Sequence, residues 1–280
     1  MGKANKKYFA IFVLPTLIAF FIAFLIPFVM GLYLSFCEFT TVTNAKFVGI
    51  SNYISAFTNQ NFLNALWFTI KFAVVAIITI NACGFILAMM LTQGLKGTNI
   101  FRTIFFMPNL IGGIVLGYIW QSMINGVLAN LGVTMLMDPK YGYWGLVILM
   151  NWQLIGYIMI IYIAGLQNVS TDVLEAAKID GATRLQTLFR VTIPMVMPSI
   201  TICLFLTIAN SFKMFDQNLA LTGGGPSNKT TMLALDIYDT FYGKVGFEGV
   251  GQAKAVIFFI IVAGIAMAQL VFTRKKEVES

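Results

Sequence analysis

Long apolar runs alternate with short polar segments along this chain of 280 residues. A helix that crosses a bilayer needs about 20 mostly apolar residues. Six stretches reach that length: 8–36, 62–92, 101–123, 144–167, 193–215 and 251–273. The third carries Pro108 and several glycines, and the fifth carries Lys213. A lysine at a helix centre costs about 2.5–3.5 kcal/mol, and each Leu, Ile, Phe or Val returns about 0.3–0.6. Ile200, Ile202, Leu204, Phe205, Leu206 and Ile208 offset it, and Lys213 lies near enough to the span end to snorkel. The pattern therefore predicts an all-α, polytopic membrane protein with six transmembrane helices. A first span with its outer segment (1–61) precedes a core of five spans (62–280). Between spans lie the outer segments 37–61, 124–143 and 216–250 and a polar loop, 168–192.

Composition sharpens this. Hydrophobic residues make up 59% and charged residues 10%, with a mean hydropathy of +0.84. Soluble domains run near 45–50% apolar and about 25% charged, so a cytosolic enzyme, a disordered chain and a secreted disulfide scaffold are excluded. The net charge of +7 is unevenly placed. The N-terminus, residues 93–102, residues 168–192 and the C-terminus hold 11 basic and 5 acidic residues, which accounts for +6 of it. The positive-inside rule puts that side, with both termini, in the cytoplasm. The basic balance is a topology signal, and no segment forms the basic surface patch that nucleic acid needs. The first apolar run outlasts the 7–15 residues of a signal-peptide core, so an uncleaved span is expected. Cys37, Cys83 and Cys203 lie in or beside apolar runs without a CxxC pair and read as small fillers. The absence of histidine excludes Ser–His and Cys–His pairs and His-based metal sites, and no metal site is expected.

The polar loop carries the most information. Asp172 with Glu175 three residues later gives a capping-box-like start. Gly181 supplies a stop, a second short helix is expected from Thr183 or Arg184 to about Arg190, and Pro194 opens or kinks the next helix. The result is a helix–Gly–helix elbow. Its first helix carries Val173, Ala176, Ala177 and Asp180 on one face, a small surface that another protein can approach closely.

Glu175-Ala176-Ala177, Asp180-Gly181-Ala182 and Ile193-Pro194 together resemble the EAA loop of permease subunits of ABC importers. Leu221-Thr222-Gly223-Gly224-Gly225-Pro226 resembles a loop of the carbohydrate-uptake branch, which includes maltose, multiple-sugar and glycerol-3-phosphate systems. The resemblance covers about residues 8–276. It implies a permease subunit that moves a sugar, a di- or oligosaccharide, by alternating access across the bacterial cytoplasmic membrane. It also implies a second, different permease subunit, two ATPase subunits and an external solute-binding protein. ATP and magnesium would sit in the ATPases, with no cofactor in this chain and no catalytic residue. Glu175, Ala176, Ala177, Asp180, Gly181 and Ala182 would form the ATPase-coupling surface. The nearest approach to a phosphate-binding G-x-x-x-x-G-K-[ST] motif is Gly223–Thr230, but Asn228 stands where glycine is required.

Polar groups inside spans are costly and face a cavity or a partner. The candidates are Asn109 in the third span, Asn151, Gln153 and Tyr157 in the fourth, and Thr207, Asn210, Ser211 and Met214 on one face of the fifth. Amides, hydroxyls and aromatic faces suit a neutral sugar. The alternative for each is interhelical hydrogen bonding. Gly113 and Gly117 form a GxxxG pattern for close helix packing, and Pro15 and Pro27 mark kinks in the first span. Lys71, Asp216 and Lys254 read as interfacial, as do Trp67, Trp120, Trp144, Tyr8 and Tyr143. The competing reading is an ion-coupled secondary transporter. It would need mid-span acidic residues, and this chain has none in those positions.

Overall fold

The computed structural model describes residues 3–94 and 96–275, with backbone alone for residues 3–11. The basic positions Lys3, Lys6 and Lys7 and the expected interfacial Tyr8 fall in that backbone-only stretch. Lys276, Glu277 and Glu279 lie outside the described residues.

The described residues are mostly helical. Among them, four helices are long and apolar enough to cross a membrane: α1 (Phe12–Leu34), α3 (Gln60–Leu91), α6 (Pro139–Gln167) and α12 (Glu248–Arg274). The short helix α2 (Ser51–Thr58) precedes α3. The expected third and fifth spans are not single rods. The third consists of α4 (Thr98–Phe106), prolonged by a 3-10 turn to Leu110, and α5 (Gly113–Ala129), bent by 100°. Ile111 and Gly112 between them are extended (φ −88°, ψ 133° and φ −60°, ψ 141°). The fifth consists of α8 (Arg184–Met195) and α9 (Met197–Phe212), bent by 72° at Val196. Pro108 and Pro198 lack the N–H that would continue a helical ladder, and each break lies within four residues of one of them. Counting each bent pair as one span gives six.

The Cα positions divide the chain into two compact units, residues 1–62 with 237–259 and residues 63–236 with 260–280. In the first unit, α1 contains a π-helical turn, Phe21–Leu25, between Pro15 and Pro27. An antiparallel pair, β1 (Cys37–Glu38) and β2 (Lys46–Phe47), replaces part of the expected outer loop. Asn52, 7% exposed, donates to the Ser35 and Cys37 carbonyls at 3.0 and 2.9 Å and anchors this hairpin to α2. Lys254 is fully buried in the protein. Its ammonium donates to the Thr240 hydroxyl at 2.8 Å and stands 5.2 Å from the Phe62 ring centre.

The second unit is built around α6. Of its apolar window 61% is buried in the protein, against none of the α1 window. Small residues allow this. A Cβ on Gly156 would collide with the Phe105 carbonyl, and one on Gly165 with the Ser199 side chain. Lipid tails give little hydrophobic reason for helices to associate, so close backbone approach and interhelical hydrogen bonds hold them together. One such set joins three spans. Tyr162 Oη donates to Asn81 Oδ1 at 2.8 Å, and Asn81 Nδ2 donates to Thr207 Oγ1 at 3.2 Å.

Helix α10 (Asp216–Leu221) leads into the glycine loop, and α11 (Leu233–Gly243) leaves it. Asn218, 0% exposed, closes the loop: its Nδ2 donates to the Thr230 carbonyl at 2.8 Å and to Thr222 Oγ1 at 2.9 Å, and its Oδ1 accepts from the Met232 N–H at 2.9 Å. Gly223 and Gly224 occupy positive φ (53° and 79°), which the turn requires. The loop packs against α6, where a Cβ on Gly142 would meet the methyls of Thr230 and Thr222 at 3.0 and 3.1 Å.

Two substitutions test this packing. Gly156→Val should destabilise the protein by about 1–3 kcal/mol through overpacking, read as a lower thermal midpoint in detergent; an unchanged midpoint would refute the contact. Asn218→Leu should orphan the Thr230 carbonyl and the Met232 N–H, at about 1–3 kcal/mol for each buried group. It should also expose residues 222–231 to limited proteolysis.

Candidate functional site

Two features of the second unit bear on function: a polar cavity and the helical elbow. The cavity has a volume of about 300 Å³ and is lined by Asn109, Met150, Gln153, Leu154, Asn210, Lys213, Met214, Phe215, Asp216 and Gln217. It forms where two chain breaks face each other. One is the 3-10 turn Met107–Leu110 with Ile111; the other is the linker Lys213–Phe215 between α9 and α10. Non-helical backbone at membrane depth is tolerated where protein buries it or where it lines a cavity. Gln153 ties the two together. Its Nε2 donates to the Ile111 carbonyl at 3.4 Å, and its Oε1 accepts from Gln217 Nε2 at 2.8 Å. The GxxxG pattern brings α10 close: a Cβ on Gly113 would stand 2.7 Å from the Asp216 Cβ, and one on Gly117 would collide with Ala220. Gln121 Nε2 adds a bond to the Leu221 carbonyl at 2.9 Å.

Asn109, Gln153, Asn210 and Met214 thus meet at one cavity. Asn151, Tyr157, Thr207 and Ser211 are not among its lining residues. Asn151 Nδ2 donates to the Val147 carbonyl at 2.8 Å, and Tyr157 packs against the apolar core. Thr207 and Ser211 are fully buried. Thr207 Oγ1 donates to the Cys203 carbonyl at 2.7 Å, and Ser211 Oγ to the Thr207 carbonyl at 2.7 Å. Helix α9 ends at Phe212, so Met214 lies beyond it, and of the residues expected on one face Asn210 is exposed while Thr207 and Ser211 are buried.

The sequence reading missed Lys213, Asp216 and Gln217. It placed the first two at span ends, where their charges could reach water. The span ends three residues earlier than expected, and both charges line the cavity. The signal available was two opposite charges three residues apart at the end of an apolar run.

The elbow begins at α7 (Thr171–Ile179). Its N-cap is Ser170, whose Oγ accepts from the Asp172 N–H at 3.2 Å, so the start lies two residues before the expected Asp172. Asp180 ends the helix, and Gly181 follows at φ +75°. The Ala182 N–H donates to the Ala177 carbonyl at 3.0 Å and the Gly181 N–H to the Lys178 carbonyl at 3.2 Å, which is a Schellman cap. Thr183 then opens α8 with a capping box. Its N–H donates to Gln186 Oε1 at 2.8 Å, and its Oγ1 accepts from the Gln186 N–H at 3.3 Å. The helix runs past the expected Arg190 to Met195. Leu174 holds the elbow against the core, and Glu175, Ala176, Asp180 and Gly181 are exposed. Ala177 and Ala182 are half-buried. Ile179, Leu185 and Phe189 are large apolar side chains left exposed beside them.

Comparison with known proteins agrees with this architecture. A protein from Thermoanaerobacterium thermosulfurigenes, named a probable starch degradation products transport system permease protein, is 42% identical over 98% of this chain and 97% of its own. A multiple sugar-binding transport system permease protein of Streptococcus mutans is 34% identical over 98% of each chain. Among solved structures, a bacterial ABC transporter involved in import of the acidic polysaccharide alginate superposes with a TM-score of 0.82 at 20% identity, over 98% of this chain and 96% of that one. The family described as binding-protein-dependent transport system inner membrane component matches residues 80–276. With four helices suited to crossing a membrane and two bent pairs of the same character, this chain belongs to that family of multi-pass membrane subunits.

Proposed function

We propose that the chain is the permease subunit of an ATP-driven importer that carries a sugar, a di- or oligosaccharide, across the bacterial cytoplasmic membrane. It works with a second, different permease subunit and two ATPase subunits that hold ATP and magnesium. Its solute arrives from an external binding protein, and both its termini face the cytoplasm. The names of the relatives from T. thermosulfurigenes and S. mutans support a saccharide as cargo. The cavity supports the same cargo, because its amides can both donate to and accept from hydroxyl groups.

The observation that carries this reading is the elbow. Two helices meet at Gly181, and the backbone groups at the junction are satisfied internally by the Schellman cap and the capping box. The junction therefore holds its angle without help from a partner. Ala176 leaves the exposed face flat, and Ile179, Leu185 and Phe189 offer it apolar area. A cytoplasmic ATPase seated there moves α8 and, through it, α9. Helix α9 carries Asn210 and leads into the cavity linker at Lys213. Closure of the ATPases is thus transmitted as a rigid-body tilt to the cavity wall, the requirement for alternating access.

Gly181 tests the coupling. Its positive φ costs a side-chain-bearing residue about 1–2 kcal/mol, and the space around it is open, so a substitution acts on the angle. Gly181→Val should reduce sugar-stimulated ATP hydrolysis and uptake at least about tenfold, with the protein still at normal levels in the membrane. Gly181→Asn, which tolerates the left-handed region, should keep most of the activity. Full coupling in the valine variant would refute the role of the elbow.

A further inference from the structure

Lys213 and Asp216 flank the break between α9 and α10, one of the two places where the chain at the cavity wall leaves helical geometry. Both line the cavity, and both are exposed to its space. We propose that they are the specificity-determining residues of this cavity, and that their opposed charges set its choice between a neutral saccharide and one that carries a carboxylate. The proposal rests on the reading of the chain as a sugar importer.

The amides around them are partly committed. Asn210 Nδ2 donates to the Leu206 carbonyl at 2.9 Å, Gln217 Nε2 donates to Gln153 Oε1, and Gln153 Nε2 donates to the Ile111 carbonyl. Those bonds engage one amide donor on each residue, while the carbonyl oxygens of Asn210 and Gln217 remain for a ligand. Lys213 adds up to three donors and no acceptor, and Asp216 adds two acceptor oxygens. Together they supply charge-assisted hydrogen bonds to hydroxyl groups in both senses, which are stronger than neutral ones. The Asp216 stem has little freedom, since Gly113 leaves no room for a Cβ beside it.

The charges of the pair sum to zero, so a neutral solute meets strong hydrogen-bond partners without unbalancing the site. A carboxylate brought into the same space is repelled by Asp216 and attracted by Lys213, and the intact pair holds the two effects against each other. Removing one member unbalances the site. Without Asp216, the remaining ammonium favours an anion. Without Lys213, the remaining carboxylate repels it.

The test uses the complete transporter, with its companion permease and ATPases, in lipid nanodiscs without the binding protein or nucleotide. Equilibrium binding is measured for radiolabelled maltotriose and for trigalacturonate, which has the same number of rings and carries carboxylates. The wild type sets the reference ratio of the two affinities. Asp216→Asn should shift that ratio toward trigalacturonate by about tenfold or more, and Asp216→Glu should preserve it. Lys213→Met should weaken both ligands, trigalacturonate more than maltotriose. A merely structural role would move both affinities together, so the ratio is the diagnostic quantity. An equal ratio in the wild type and both charge-removing variants would overturn the proposal while leaving sugar import standing. A wild type that neither binds nor translocates any saccharide overturns sugar import, and this inference with it.

Discussion

Hydrocarbon offers a peptide group no hydrogen-bond partner, and this constrains the breaks in the bent spans of the second unit. Where the chain departs from helix, side chains and neighbouring elements supply the partners that lipid lacks. The Ile111 carbonyl, freed at the first break, receives Gln153. The turns after α10 are closed by Asn218, which serves one carbonyl, one N–H and one hydroxyl at once. At Val196 the N–H still reaches the Thr192 carbonyl at 3.0 Å, and its own carbonyl accepts from the Ile200 N–H at 3.0 Å. The breaks are thereby fixed structures, and the cavity between two of them inherits their definition.

The same constraint explains which features the sequence disclosed and which it did not. Apolar length is a one-dimensional property, so the straight spans and the elbow were legible, including the stop at Gly181. The bends were legible only as warnings. Pro108 and the nearby glycines announced trouble in the third span without stating that the chain turns through 100°. The fifth span was misjudged at its end, because hydropathy continues through Met214 and Phe215 although the helix stops at Phe212. That error concealed Lys213 and Asp216 as lining residues and placed Met214 within a helix that ends before it.

Burial of polar side chains was the other limit. Thr207, Ser211 and Asn151 satisfy the rule that polar groups in spans face a partner, but each donates to the backbone of its own helix. A hydroxyl that bonds the carbonyl four residues earlier on its own helix has the same sequence signature as one turned toward a solute. Asn81 shows the reverse case. It lies in the second span as an isolated amide, yet it links Tyr162 and Thr207 and so holds three helices in register. Only three-dimensional neighbours separate these roles.

The buried Lys254 carries a mechanical consequence for the first unit. Its ammonium is held by Thr240 on α11 and lies over the Phe62 ring at the start of α3. Displacing α12 along its axis by one turn, about 5.4 Å, would part that cation from Thr240 and from the Phe62 ring, and an ammonium left among apolar groups costs about 2.5–3.5 kcal/mol. The start of the last helix is thus pinned in depth by a buried charge.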